Sequence, residues 1–119
     1  MEGRVSPHFK RKEFACQCGC GYDTADAELV SVLEALREAL GGRPIIISSG
    51  ARCPAHNKAI AGSPRSQHLL ARAADIVVRG VPADKVADML DQLYPDSLGV
   101  GRYADFTHVD TRKGKARWG

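Results

Sequence analysis

The sequence predicts an α+β fold, a small and mostly antiparallel sheet with flanking helices. Two segments, "AELVSVLEALREALGG" and "PADKVADMLDQLYP", repeat apolar residues at helical spacing. Two short apolar runs, "PIIISS" and "ARAADIVV", have strand length. Three more strand-like runs, "LGVGRY", "FTHVDTR" and "KARW", crowd the end of the chain, and consecutive short strands favour antiparallel pairing.

With 119 residues, the chain has the length of one domain, and residues 1–119 are read as such. Its balance of 44% hydrophobic and 26% charged residues permits an ordinary buried core. Residues 1–23, rich in Gly and Cys, read as an irregular N-terminal arm. A helix follows, with Thr24 or Asp23 able to cap it. Leu29, Val32, Leu33, Leu36 and Leu40 form its apolar stripe, and Gly41-Gly42 ends it. Residues 44–49 read as a short buried strand. Pro54 can start a short helix over residues 55–61, and residues 62–65 form a loop. A second strand is expected over residues 73–78. A second long helix spans residues 82–94, with Val86, Met89, Leu90 and Leu93 on one face and Pro95 as its stop. The last two strands are close enough to form a hairpin through Lys113-Gly114.

A net charge of +3 is mild. Basic residues gather in "HFKRK" and "RKGKAR", but no aromatic-rich basic stripe or recognition helix accompanies them. A nucleic-acid partner is therefore not expected. The first residues carry no apolar run of signal-peptide type, and no stretch reaches membrane-spanning length. The expectation is a chain made in the cytoplasm, with no membrane insertion. Cys16, Cys18, Cys20 and Cys53 are expected to be thiols in that compartment. The alternatives are a structural zinc site closed by Cys53 and a disulfide such as Cys20–Cys53. Against the zinc, C-x-C-x-C is tighter than the usual spacing of metal ligands, so a second zinc there is not expected.

The unusual polar residues lie in "SGARC", "SQHLLARAAD" and "DFTHVD", each at the edge of an expected strand. A catalytic zinc takes three protein ligands from His, Asp, Glu or Cys, and His68, Asp75 and His108 offer such a set; taken singly, His108 also reads as a structural histidine and Asp75 as a turn cap. Such a set explains a carboxylate inside an apolar strand, because the metal neutralises it. Asp105 lies three residues before His108 and can approach the same metal if the chain turns there and enters the strand at Phe106. Strand alternation puts Asp110 on the face of His108, where it can orient that ligand or pair with Arg112. Arg52 can hold a substrate carboxylate or stabilise an oxyanion. Ser66 can hydrogen-bond substrate or cap a turn. His8 and His56 have no matching partners, and His56 reads as structural.

These residues resemble the M15 family of zinc peptidases, which act on bacterial cell-wall peptides. The family pattern is S-G-x-R, then S-x-H-x-x-G-x-A-x-D, then an acid three residues before a histidine. Here it reads Ser49-Gly50-Ala51-Arg52, then Ser66 to Asp75, then Asp105-Phe106-Thr107-His108. The likeness runs over residues 8–118 and points to the small branch, which includes phage endolysins. It implies a Hedgehog/DD-peptidase-like fold with one catalytic zinc on His68, Asp75 and His108. Asp105 would be the general base, Arg52 would contact the scissile carbonyl or a substrate carboxylate, and Ser66 would line the cleft. The one departure is Ala71, where the family usually has Gly.

The resemblance implies a peptidoglycan peptidase, a D-alanyl-D-alanine carboxypeptidase or an L-alanyl-D-glutamate endopeptidase. A chain this small is expected to work as a monomer and to reach the wall after holin-type release. The competing reading is a non-catalytic zinc-containing module of the same fold, as in the Hedgehog signalling domain, that binds the wall or a protein.

Overall fold

The computed structural model describes residues 3–119. Its centre is a five-stranded sheet in the order β3-β4-β6-β5-β7. The strands are β3 (Ile45–Ser49), β4 (Ala73–Val78), β5 (Leu98–Arg102), β6 (Thr107–Asp110) and β7 (Lys115–Trp118). All neighbours run antiparallel except β5 and β7, which are parallel. The α+β reading and the mostly antiparallel sheet are both seen.

Alternation divides the sheet into two faces with different work. Ile45, Ala74, Ile76, Val78, Leu98, Val100 and Val109 join one buried cluster with helices α1 (Ala27–Ala39) and α3 (Ala83–Leu93). Asp75, His108 and Asp110 occupy the opposite face.

The apolar stripe of α1 is buried at Leu29, Val32, Leu33 and Leu36, and Val30 joins it. Each such side chain contributes about 1.5–3 kcal/mol of burial. The cap is Asp26, rather than Asp23 or Thr24, and its carboxylate accepts from the Leu29 amide. Tertiary contacts select it. The Asp26 amide donates to Ala71 O at 2.9 Å, and Thr111 Oγ1 donates to its carboxylate at 3.0 Å. On α3, Val86, Ala87 and Leu90 are buried, but Leu93 stays 38% exposed. Tyr94 packs against the core at that end instead.

Three further expectations are corrected. The arm is not irregular throughout. Strands β1 (Arg4–Ser6) and β2 (Phe9–Lys10) pair, and a 3-10 helix spans Arg11–Phe14. Phe9 and Phe14 pull it inward, each 1% exposed and both part of the core. Strand β3 is an edge strand with one wet face, where Ile46 is 41% exposed. Finally, β6 and β7 form no hairpin, because β4 and β5 already flank β6 on both sides. The chain crosses to the free edge of β5, where Arg117 anchors β7. Its guanidinium donates to the carbonyls of Tyr94, Ser97 and Leu98 and to the Asp91 carboxylate.

The expected short helix after Cys53 is present, and a 3-10 turn not expected from the sequence follows it. Helix α2 spans Pro54–Ala59, and a 3-10 turn covers Gln67–Leu70. That turn closes on Ala71, which is buried and left-handed at φ 57°. A left-handed alanine is strained by about 1 kcal/mol, which glycine relieves. Glycine also gives up a buried methyl worth about 0.8 kcal/mol. The two nearly cancel, so Ala71→Gly is expected to move Tm by no more than about 4 °C. Ala71→Val, β-branched where φ is positive, is expected to lose about 2 kcal/mol or more in urea unfolding.

Candidate metal centre and cleft

Asp75 and His108 face each other across the β4–β6 ladder. The 3-10 turn brings His68 to the same point. The Asp75 Oδ1 lies 3.0 Å from His108 Nδ1 and 3.3 Å from His68 Nε2. Zinc bonds of about 2.0–2.1 Å place tetrahedral ligand atoms about 3.3 Å apart, so this spacing fits one metal ion.

Both imidazoles are held from behind. His68 Nδ1 lies 2.7 Å from Gly50 O, an acceptor only, so that nitrogen carries the proton and Nε2 faces Asp75. His108 Nε2 lies 2.7 Å from Asp110 Oδ2, which leaves Nδ1 to face Asp75. Such hydrogen bonds orient metal ligands and raise their basicity. Asp110 is fully buried and also takes a two-point contact from Arg112, at 2.8 and 2.7 Å. It therefore does both things the sequence allowed, orienting His108 and pairing with Arg112.

The electrostatics follow from burial and these contacts. Burial pushes the Asp75 carboxyl up, but hydrogen bonds from His108 and His68 more than offset it and hold it at about 2. Burial pushes His108 down, and the Asp110 and Asp75 carboxylates overcome this and raise it. Burial likewise opposes ionisation of Asp110, while Arg112 and His108 hold it well below the usual carboxylate range. A metal ion must displace the proton from His108 Nδ1, so metal affinity rises with pH.

Two glycines make room on this face. A Cβ at Gly99 would meet both Asp110 carboxylate oxygens at 2.5 Å, and one at Gly101 would meet the Trp118 ring at 2.5 Å. "LGVGR" therefore lets the Asp110 carboxylate and the Trp118 indole lie flat over β5. The Trp118 Nε1–H donates to Tyr103 Oη at 2.9 Å, and Arg112 lies 5.1 Å from the indole centroid. Tyr103 and Phe106 stack at 4.4 Å.

The result is a cleft of about 520 Å³ with His68, Asp75 and His108 among its lining residues. Arg52, Arg65, Ser66 and Gln67 also line it, as do Tyr103, Phe106, Arg112 and Trp118. Arg52 is 9% exposed, donates to Asn57 Oδ1 at 2.9 Å, and places Nη2 3.9 Å from Asp75 Oδ2. Its Nε is buried with no partner, a donor left unused. Ser66 caps the 3-10 turn, accepting from the His68 amide, and lines the cleft as well. Asp105 is different. It lies exposed in the bend before β6, which starts at Thr107 rather than Phe106. Phe106 lines the cleft; Asp105 is not among the lining residues.

Sequence reasoning missed Trp118, Tyr103 and Arg112 as cleft walls. The alternate glycines of "LGVGR" were the available signal, since they leave a strand face open for large neighbours. The remaining histidines stand apart from this centre. His8 pairs with Glu34 at 2.7 Å, and the His56 amide donates to Cys53 Sγ. All four cysteines are unbonded in this structure, Cys20 and Cys53 included. Their Sγ atoms nevertheless lie within 4.8 Å of one another, which removes the spacing argument against a metal.

Asp110→Asn is expected to weaken metal binding by about 10–100-fold, because the amide no longer fixes the His108 tautomer. Removing one partner of a buried pair costs about 3 kcal/mol. Chelator competition and urea unfolding of the metal-free chain measure the two effects separately.

An α+β sheet that presents two oriented imidazoles and a carboxylate in an open cleft defines a candidate metallohydrolase centre. A family model described as Peptidase M15 matches residues 7–110, most of the chain. The chain belongs to the M15 peptidase family. A search of curated proteins finds no match to it.

Proposed function

We propose that the chain is a zinc-dependent peptidase that hydrolyses stem peptides of bacterial peptidoglycan. The observation that carries this reading is the convergence of His68 Nε2, Asp75 Oδ1 and His108 Nδ1 in a cleft, in a chain of a peptidase family. A zinc ion held there supplies Lewis-acid polarisation of a peptide carbonyl and a more acidic water. Arg52 shares the charge developing on the carbonyl oxygen, and its unpartnered Nε fits that use. Asp105 takes the proton of the attacking water and returns it to the leaving amine. Ser66 and the Tyr103, Phe106 and Trp118 rings hold the peptide. The protein acts as a monomer at the cell wall, reached by holin-type release, with no nucleic-acid partner. Among the described residues, no helix is long and apolar enough to cross a membrane.

One observation favours a second reading. Asp105 does not line the cleft, as a non-catalytic zinc-containing wall- or protein-binding module would allow. Digestion of purified peptidoglycan by the zinc-loaded protein, with mass analysis of the fragments, decides between them. Release of D-Ala alone marks a carboxypeptidase, and cleavage between L-Ala and D-Glu marks an endopeptidase. An unchanged fragment profile overturns the peptidase reading in favour of the module.

A further inference from the structure

A second set of metal-type donors lies outside the cleft. Cys16, Cys18 and Cys20 come from the turns after the first 3-10 helix, and Cys53 is the N-cap of α2. Their four Sγ atoms all lie within 4.8 Å of one another. Cys18 Sγ is 3.5 Å from Cys16 Sγ and 3.6 Å from Cys53 Sγ. A zinc–thiolate bond of about 2.3 Å sets the edges of a tetrahedral S4 site at about 3.8 Å. A disulfide needs sulfurs about 2.05 Å apart, and all four thiols are free.

The C-x-C-x-C spacing is tight, but the backbone accommodates it. Gly19 and Gly21 take left-handed conformations, φ 80° and 92°, which curl "CQCGCG" around one point. The Cys16 amide donates to Tyr22 O at 2.7 Å, and the Gly19 amide donates to Cys16 O at 3.2 Å. Two more amides aim at sulfur. Cys53 N–H donates to Cys16 Sγ and His56 N–H to Cys53 Sγ, both at 3.4 Å. Such donors stabilise charge on a thiolate.

We propose that Cys16, Cys18, Cys20 and Cys53 bind a second zinc ion with a structural role. Four protein thiolates close the coordination sphere and leave no position for water or substrate. Exposed Cys18 and Cys20 give the ion a way in. The consequence concerns the cleft. Cys53 follows Arg52, whose amide donates to His68 O at 3.0 Å, and the Ala51 amide donates to Phe14 O at 2.7 Å. The ion ties the N-terminal arm to the loop that carries Arg52, and so fixes that guanidinium beside Asp75.

The test is elemental analysis of the full chain, purified with reductant and zinc. Two zinc ions per chain are expected, with one retained in His68→Ala and one in the double variant C18S/C20S. Cobalt loaded into His68→Ala is expected to give a thiolate-to-cobalt charge-transfer band. Because the double variant can misfold, thiol alkylation of the wild-type chain supplies an independent readout. All four thiols are expected to resist alkylation until a strong chelator is added. The proposal is overturned by a single zinc that His68→Ala removes entirely. Iron at this position, a disulfide mass in the reduced preparation, or chelator-independent alkylation also overturns it. None of these readouts depends on peptidase activity, so the two proposals stand or fall separately.

Discussion

Asp75→Ala is expected to empty the cleft of its metal and to lower the rate of peptide release by more than about 1000-fold. Losing both the polarised carbonyl and the acidified water removes several kcal/mol of transition-state stabilisation, and each 1.4 kcal/mol is about tenfold. The geometry explains why this position is the most sensitive. Asp75 Oδ1 approaches both imidazoles, at 3.0 and 3.3 Å. Without it, two ring nitrogens face each other with no anion between them. The same carboxylate contributes to the stability of the metal-free fold, with a definite sign. Its folded pKa of about 2 lies below its ordinary value, so ionised Asp75 stabilises the chain above pH ~4. That share, about 2 kcal/mol, is lost as the pH falls through about 2. His108 acts in the opposite sense. Its pKa is raised, so its contribution is complete below about pH 6.5 and disappears as the pH rises through the folded value. Urea midpoints of metal-free wild type and Asp75→Ala are expected to differ at pH ~5 and to converge near pH ~2. Equal zinc occupancy of the cleft in wild type and Asp75→Ala, by titration, would remove Asp75 from the ligand set.

The parts of the fold that were legible in the sequence are those set by local periodicity. The α1 stripe follows from a 3.6-residue repeat, the Ala73–Val78 strand from a short apolar run, and the shared face of Asp110 and His108 from strand alternation. The parts that were not legible depend on contacts distant in sequence. Nothing around Lys113 shows that β6 already has two neighbours, or that Arg117 will find three carbonyls beyond α3. The Asp26 cap is chosen by Ala71 and Thr111, 45 and 85 residues away. For the candidate site, residue types at motif spacing pointed to His68, Asp75 and His108, but not to the atoms that orient them. Gly50 O has no side-chain signature at all. The cysteines show the limit from the other side, since spacing argued against a site whose four sulfurs lie together.

Asp105→Asn is expected to separate binding from chemistry. A general base contributes about 10²–10⁴-fold, so kcat is expected to fall by that range while KM and zinc content stay at wild-type values. Stability is expected to change by less than about 0.5 kcal/mol, because the side chain is exposed. The prediction is demanding for a residue that does not line the cleft. Asp105 sits in a tight bend closed by the Tyr103 amide donating to Phe106 O at 3.2 Å. Both flanking aromatics line the cleft and stack on each other. If Asp105 is the base, a peptide seated against those rings is expected to shift the bend and bring the Asp105 carboxylate toward the water. Catalytic contacts that are long in a free enzyme commonly tighten in the bound complex. Asp105→Glu, one methylene longer, is then expected to recover part of the lost rate, whereas a purely structural aspartate gives no such rescue. A wild-type rate in Asp105→Asn would assign the proton transfer to another group and leave this bend with a binding role alone.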